Sequence, residues 1–96
     1  MKRKQFNKYV EIIMTHFDIS RELLFTNTKE RDVADARHTL YWACYAHGNF
    51  RSATIIRMMK VNGYNIGHST IKYGIDKIIR TEEKSNLKLQ KKLCSV

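Results

Sequence analysis

The chain has no proline and only four glycines, at positions 48, 63, 67 and 74, in 96 residues. Proline and glycine are the residues that most readily interrupt a helix, the first by losing its amide donor and fixing φ, the second by its conformational freedom. A sequence so poor in both can run in long helical segments, and its apolar residues fall at helical spacing. Phe6, Val10, Ile13 and Phe17 recur every three or four positions and predict a first helix over 6–17. Asp18 and Ser20 can cap a short turn presenting Leu23 and Leu24, before the polar loop Thr26-Asn27-Thr28-Lys29-Glu30-Arg31. A longer helix is expected over 32–47, with Val33, Ala36, Leu40, Ala43, Cys44 and His47 along one side and Trp42 roughly opposite. Apolar groups on both sides mark a central helix. Gly48 is the expected positive-φ residue after it, and Asn49 or Ser52 the cap of a helix carrying Ile55, Ile56 and Met59. Asn62-Gly63 ends that helix, and a final one, from about Gly67 to Arg80, buries Ile71, Ile75 and Ile78 with Lys72, Asp76 and Arg80 outward.

The fold class is therefore all-α, a single small helical domain over 6–80. A basic arm, 1–5, precedes it, and a basic tail, 81–96, helical or frayed, follows. No internal repeat or low-complexity segment is visible.

Charge narrows the function. Lysine and arginine number 18 against 9 acids, a formal net charge of +9. No acid falls between Asp35 and Asp76, where Arg37, Arg51, Arg57, Lys60 and Lys72 all lie. A solubilising surface tolerates interspersed acids, so an acid-free half points to a polyanionic partner, nucleic acid first. The N-terminal Met1-Lys2-Arg3-Lys4 leads into polar residues where a signal peptide needs an apolar run, and no uncharged apolar stretch is long enough to span a bilayer. A cytoplasmic location, without membrane association, is the expectation. Cys44 and Cys94, far apart, read as free thiols. Cys44 and His47 form a C-x-x-H pair, but zinc needs four ligands and no second pair follows. No metal, cofactor or catalytic site is expected, since a thiol with a stray histidine lacks an orienting third group.

A short helix, a glycine-containing turn and a helix opening on small polar residues outline a helix-turn-helix, whose second helix enters the major groove. His68, Ser69 and Thr70 occupy the opening turn, where side chains reach base edges and free N–H groups favour phosphate. The run Val33-Ala34-Asp35-Ala36-Arg37-His38, followed by Gly67-His68-Ser69-Thr70-Ile71 and Lys77-Ile78, resembles the C-terminal DNA-binding domain of the bacterial replication initiator DnaA. Phe17-Asp18-Ile19-Ser20 and Leu23-Leu24 resemble the approach to that domain, and the likeness covers nearly the whole 6–80 domain. It implies a small helical fold with a helix-turn-helix, like Trp repressor and the initiator's own domain. It also implies duplex DNA as partner: His68, Ser69 and Thr70, with Lys72, in the recognition helix; Arg37 in the minor groove; Lys29 and Arg31 in the basic loop. Arg51, Lys60 and Asn65 are expected to add phosphate contacts.

Two departures bear on specificity. Gly67 stands where the family carries an aspartate, and the connection before the signature is longer by a few residues. No G-x-x-x-x-G-K-[ST] phosphate loop occurs, so nucleotide binding and ATP-driven origin melting are not expected. The reading is a monomeric DNA reader acting in replication, its regulation or transcription control, of the kind a phage or plasmid would carry. The competing expectation is a protein-interaction module of the same fold, using aromatics such as Trp42 or Tyr64 against a protein partner.

Overall fold

The computed structural model describes residues 2–26, 28, 30–81 and 87–94, and these form six helices with no strand among them. The first, α1 (Lys2–Phe17), buries Phe6, Tyr9, Val10 and Ile13, the stripe that its sequence spacing predicts. It begins four residues earlier than expected, so residues 2–5 of the basic arm form its first turn. Asp18, at φ 53°, closes α1 in the left-handed conformation, and the Ile19 N–H donates to the Met14 carbonyl at 3.1 Å. Only Ser20 of the two expected caps serves the short α2 (Arg21–Leu24), its Oγ accepting from the Leu23 N–H at 3.1 Å.

The central helix is α3 (Arg31–Ala46), buried on several sides through its middle: Val33, Ala36, Leu40, Tyr41, Trp42 and Cys44 are each at most 2% exposed. Helices α1 and α5 both pack against it. Its end differs from expectation. Asn49, at φ 54°, takes the left-handed conformation assigned to Gly48, and the Phe50 N–H returns to the Cys44 carbonyl at 2.9 Å. Gly48 is needed for space instead, since a Cβ there would meet that same carbonyl oxygen at 2.8 Å.

Helix α4 (Ser52–Val61) buries Ile55 and Met59, and no side chain caps its start, so neither Asn49 nor Ser52 acts as expected. Gly63, at φ 86°, reverses the chain, with the Tyr64 N–H on the Met59 carbonyl at 3.0 Å. Then α5 (His68–Thr81) buries Ile71, Ile75 and Ile78 against α3 and α4. The tail contains a sixth helix, α6 (Leu87–Cys94), whose Leu89 and Leu93 join the core beside α1. The packed unit thus reaches beyond residue 80, because two leucines four apart give a lysine-rich helix one apolar stripe.

Burial pushes the Cys44 thiol far up its range, as for a group enclosed on the central helix. Cys94 is exposed, with Sγ 3.7 Å from His47 Nδ1. Among the described residues no group of three metal-ligating side chains occurs, and no helix is long and apolar enough to cross a membrane.

Candidate nucleic-acid interface

Helices α4 and α5, joined by residues 62–67, carry most of the residues singled out in the sequence. His68, Ser69, Thr70 and Lys72 are all exposed on the first turns of α5, and no acid lies in its first turn. The first N–H groups of a helix have no partner within it, and the Ile71 N–H, which reaches the Gly67 carbonyl at 3.4 Å, begins the ladder. Positive dipole end, free donors and small polar side chains are therefore gathered on one solvent-facing turn.

His68 and Lys72 line a cavity of about 270 Å³ with Ser52 of α4 and Tyr45 of α3. Tyr45 and Ser52 also border an adjoining cavity of about 420 Å³ that includes Arg51. The starts of α4 and α5 thus share one basic groove, in which Asp76 is the only carboxylate among the described lining residues. Lys60 is exposed in the last turn of α4, at the opposite end of that helix from Arg51, and Asn65 is exposed in the connection.

Arg37 departs from its expected role. Instead of projecting toward a minor groove it is 6% exposed. Its Nε donates to the Leu24 carbonyl at 2.9 Å, and its Nη2 to the carbonyls of Thr26 and, at 3.4 Å, Thr28. Tyr64 stacks on the guanidinium, 4.7 Å from the ring centre. Five donors in a rigid fork suit the closing of a loop on its own carbonyls, and the donors so used are withdrawn from DNA. Asp35, a candidate ion-pair partner for Arg37, holds Lys77 of α5 at 3.6 Å. The consequence of Arg37 is indirect: it ties Leu24, Thr26 and Thr28 to Tyr64 of the α4–α5 connection. Arg31 is exposed at the start of α3, and Lys29 lies outside the described residues.

The aromatic residues also redistribute. Trp42, expected to be available to a partner, is 2% exposed, and Tyr64 is occupied by Arg37. Two tyrosines not singled out stand open instead: Tyr45 at 52% and Tyr73 at 57%. Tyr73 follows Ser69 by four residues, so the helical period alone places both on one face. No family model, curated protein or solved structure matches the chain.

Proposed function

We propose that the chain is a duplex DNA-binding module without catalytic activity, in which α4, the connection and α5 act as a helix-turn-helix. In this reading α5 enters the major groove, His68, Ser69 and Thr70 meet base edges, and Lys72 and Arg51 engage phosphates on either side of the shared groove. In the same reading Arg31 contributes from the start of α3, and Lys60 and Asn65 meet flanking backbone. The observation that carries this reading is the exposure of His68, Ser69 and Thr70 together at the start of α5, within a stretch, 36–75, that contains no acidic side chain. The resemblance to the initiator's C-terminal domain supports it and suggests a role in replication, its regulation or transcription control, of a phage or other mobile element.

The test is a polarisation titration of labelled duplexes over a range of salt. Roughly four to eight neutralised phosphates give a slope of log affinity against log salt of about −4 to −7. Undetectable binding at low salt, or affinity flat across salt, would overturn the proposal in favour of a protein-interaction module.

A further inference from the structure

Ser69, Lys72, Tyr73, Asp76 and Arg80 form the outward stripe of α5, all of them exposed. Tyr73 is the one large aromatic in that stripe, and it is not loose. Its ring stands edge-on to that of His38 on α3, with centroids 5.6 Å apart and planes at 79°, a favoured arrangement for two π systems. His38 is itself pressed against the backbone of α5: a Cβ on Gly74 would lie 2.9 Å from His38 Cδ2. The close approach of the two helices therefore holds the His38 ring, and that ring holds Tyr73. A tyrosine with two side-chain torsions, its ring already in contact with another, loses little freedom on meeting a partner.

Resting on the DNA-binding reading above, we infer that Tyr73 is a specificity-determining residue that reads a base in the major groove one helical turn beyond Ser69. The base edge that suits it is thymine, whose C5-methyl packs on an aromatic ring and whose O4 accepts from the phenol hydroxyl. Four residues of helix advance about 6 Å, close to two base-pair steps at about 3.4 Å each. The base pair read by Tyr73 thus lies about two steps from the one that Ser69 meets. His38 is a positioning residue for this contact, acting through the ring of Tyr73. A phosphate oxygen is the other acceptor within the chemistry of a phenol, and the experiment separates the two.

Selections from random duplexes with the full chain, and with Ser69→Ala, Tyr73→Ala, Tyr73→Phe and His38→Ala, make the test, each accompanied by affinity for an unrelated duplex and by thermal melting. Tyr73 is more than half exposed, so its variants keep the fold. Tyr73→Ala should relax a thymine preference by about five- to thirtyfold, at a position about two base pairs from the one altered in Ser69→Ala, with affinity for the unrelated duplex unchanged. Tyr73→Phe should retain most of the preference, and His38→Ala should relax it at the same position as Tyr73→Ala. An equal loss on every duplex would assign Tyr73 to phosphate and overturn the inference, as would identical motifs for the wild type and Tyr73→Ala. Those outcomes leave the DNA-binding reading standing, whereas a wild type that binds no duplex at low salt removes both.

Discussion

The guanidinium of Arg37 and the ring of Tyr64 lie 4.7 Å apart, joining the central helix to the connection between α4 and α5. The same guanidinium donates to the carbonyl of Leu24, at the end of α2, and to those of Thr26 and Thr28 beyond it. One buried cation thereby ties together two segments that border the candidate interface, and its removal would leave the buried Leu24 carbonyl without this donor.

Arg37→Ala should accordingly destabilise the fold by about 2 to 3 kcal/mol, within the range for hydrogen bonds from a charged group when one of its acceptors, the Leu24 carbonyl, is buried. For a domain of this size that corresponds to a fall in Tm of about 10 to 20 °C. Urea titration followed by circular dichroism measures it. DNA affinity should fall only as far as the folded fraction falls; a variant of wild-type stability with selectively weakened binding would restore Arg37 to direct DNA contact.

Gly74→Ala tests the approach of α5 to α3. The added Cβ would stand 2.9 Å from the rings of both His38 and Tyr41 and 3.3 Å from His38 Cα, none of them the far end of a flexible chain. Alanine in a helix gains about 1 kcal/mol over glycine, and overpacking costs about 1 to 3 kcal/mol. The clash involves two rings and a backbone atom, so it should win, with a net loss of about 1 to 2 kcal/mol and weaker DNA binding from a displaced α5. Gly67→Ala is the control: nothing lies within 4 Å of its Cβ position, and its stability should be unchanged or slightly raised.

Several of these relationships were readable from the sequence and others were not, for physical reasons. The stripe of α1, the isoleucines of α5 and the Ser20 cap depend on neighbours three or four residues away, and local periodicity captures them. The same locality places His68, Ser69, Thr70 and Lys72 on an open turn. Arg37 is different, because its fate depends on Tyr64, 27 positions on, and on loop carbonyls that no periodicity reveals. Trp42 sits roughly opposite the apolar stripe, and only the packing of other helices against that side shows it to be buried rather than open to a partner. In α6 the signal is two leucines among lysines, too short a stripe to separate a docked helix from a frayed tail. Asn49 replaced Gly48 as the left-handed residue because the turn needed both a tolerant φ and, one residue earlier, room for the Cys44 carbonyl.

His38 gives the fold a dependence on pH. Its Nδ1 is buried with no hydrogen-bond partner among the described residues, and its pKa lies below the ordinary imidazole value. Burial of the ring is the main cause, the charge of Lys77 on α5 the next; Asp35 opposes the shift and Arg37 adds to it. The unfolded chain therefore takes up a proton that the folded ring refuses, so stability is held above about pH 6.5 and declines as the pH falls below it. Urea midpoints at about pH 7.5 and about pH 5 should show wild type losing more than His38→Gln over that interval. A parallel decline in the two proteins would show that the loss comes from other groups.

Gly67→Asp restores the carboxylate that the resembling family carries at this place, and the structure accepts it. Gly67 has no positive φ, and nothing lies within 4 Å of an added Cβ. The new side chain would stand at the positive end of α5, where a carboxylate is favoured by the helix dipole and can accept from a free N–H of the first turn, raising stability by a few tenths of a kcal/mol. It would also present an acceptor to the amino group of a cytosine in the major groove, a contact that glycine cannot make and that is worth about 1 to 3 kcal/mol of discrimination. Its charge repels nearby phosphates, so total affinity should fall slightly while the selected motif narrows toward a cytosine at one position; specificity, measured at fixed salt, is the quantity to compare. Random-duplex selections that return the same motif for wild type and Gly67→Asp, with the variant folded, would show that this position does not face the bases, and the register of α5 against DNA would have to shift.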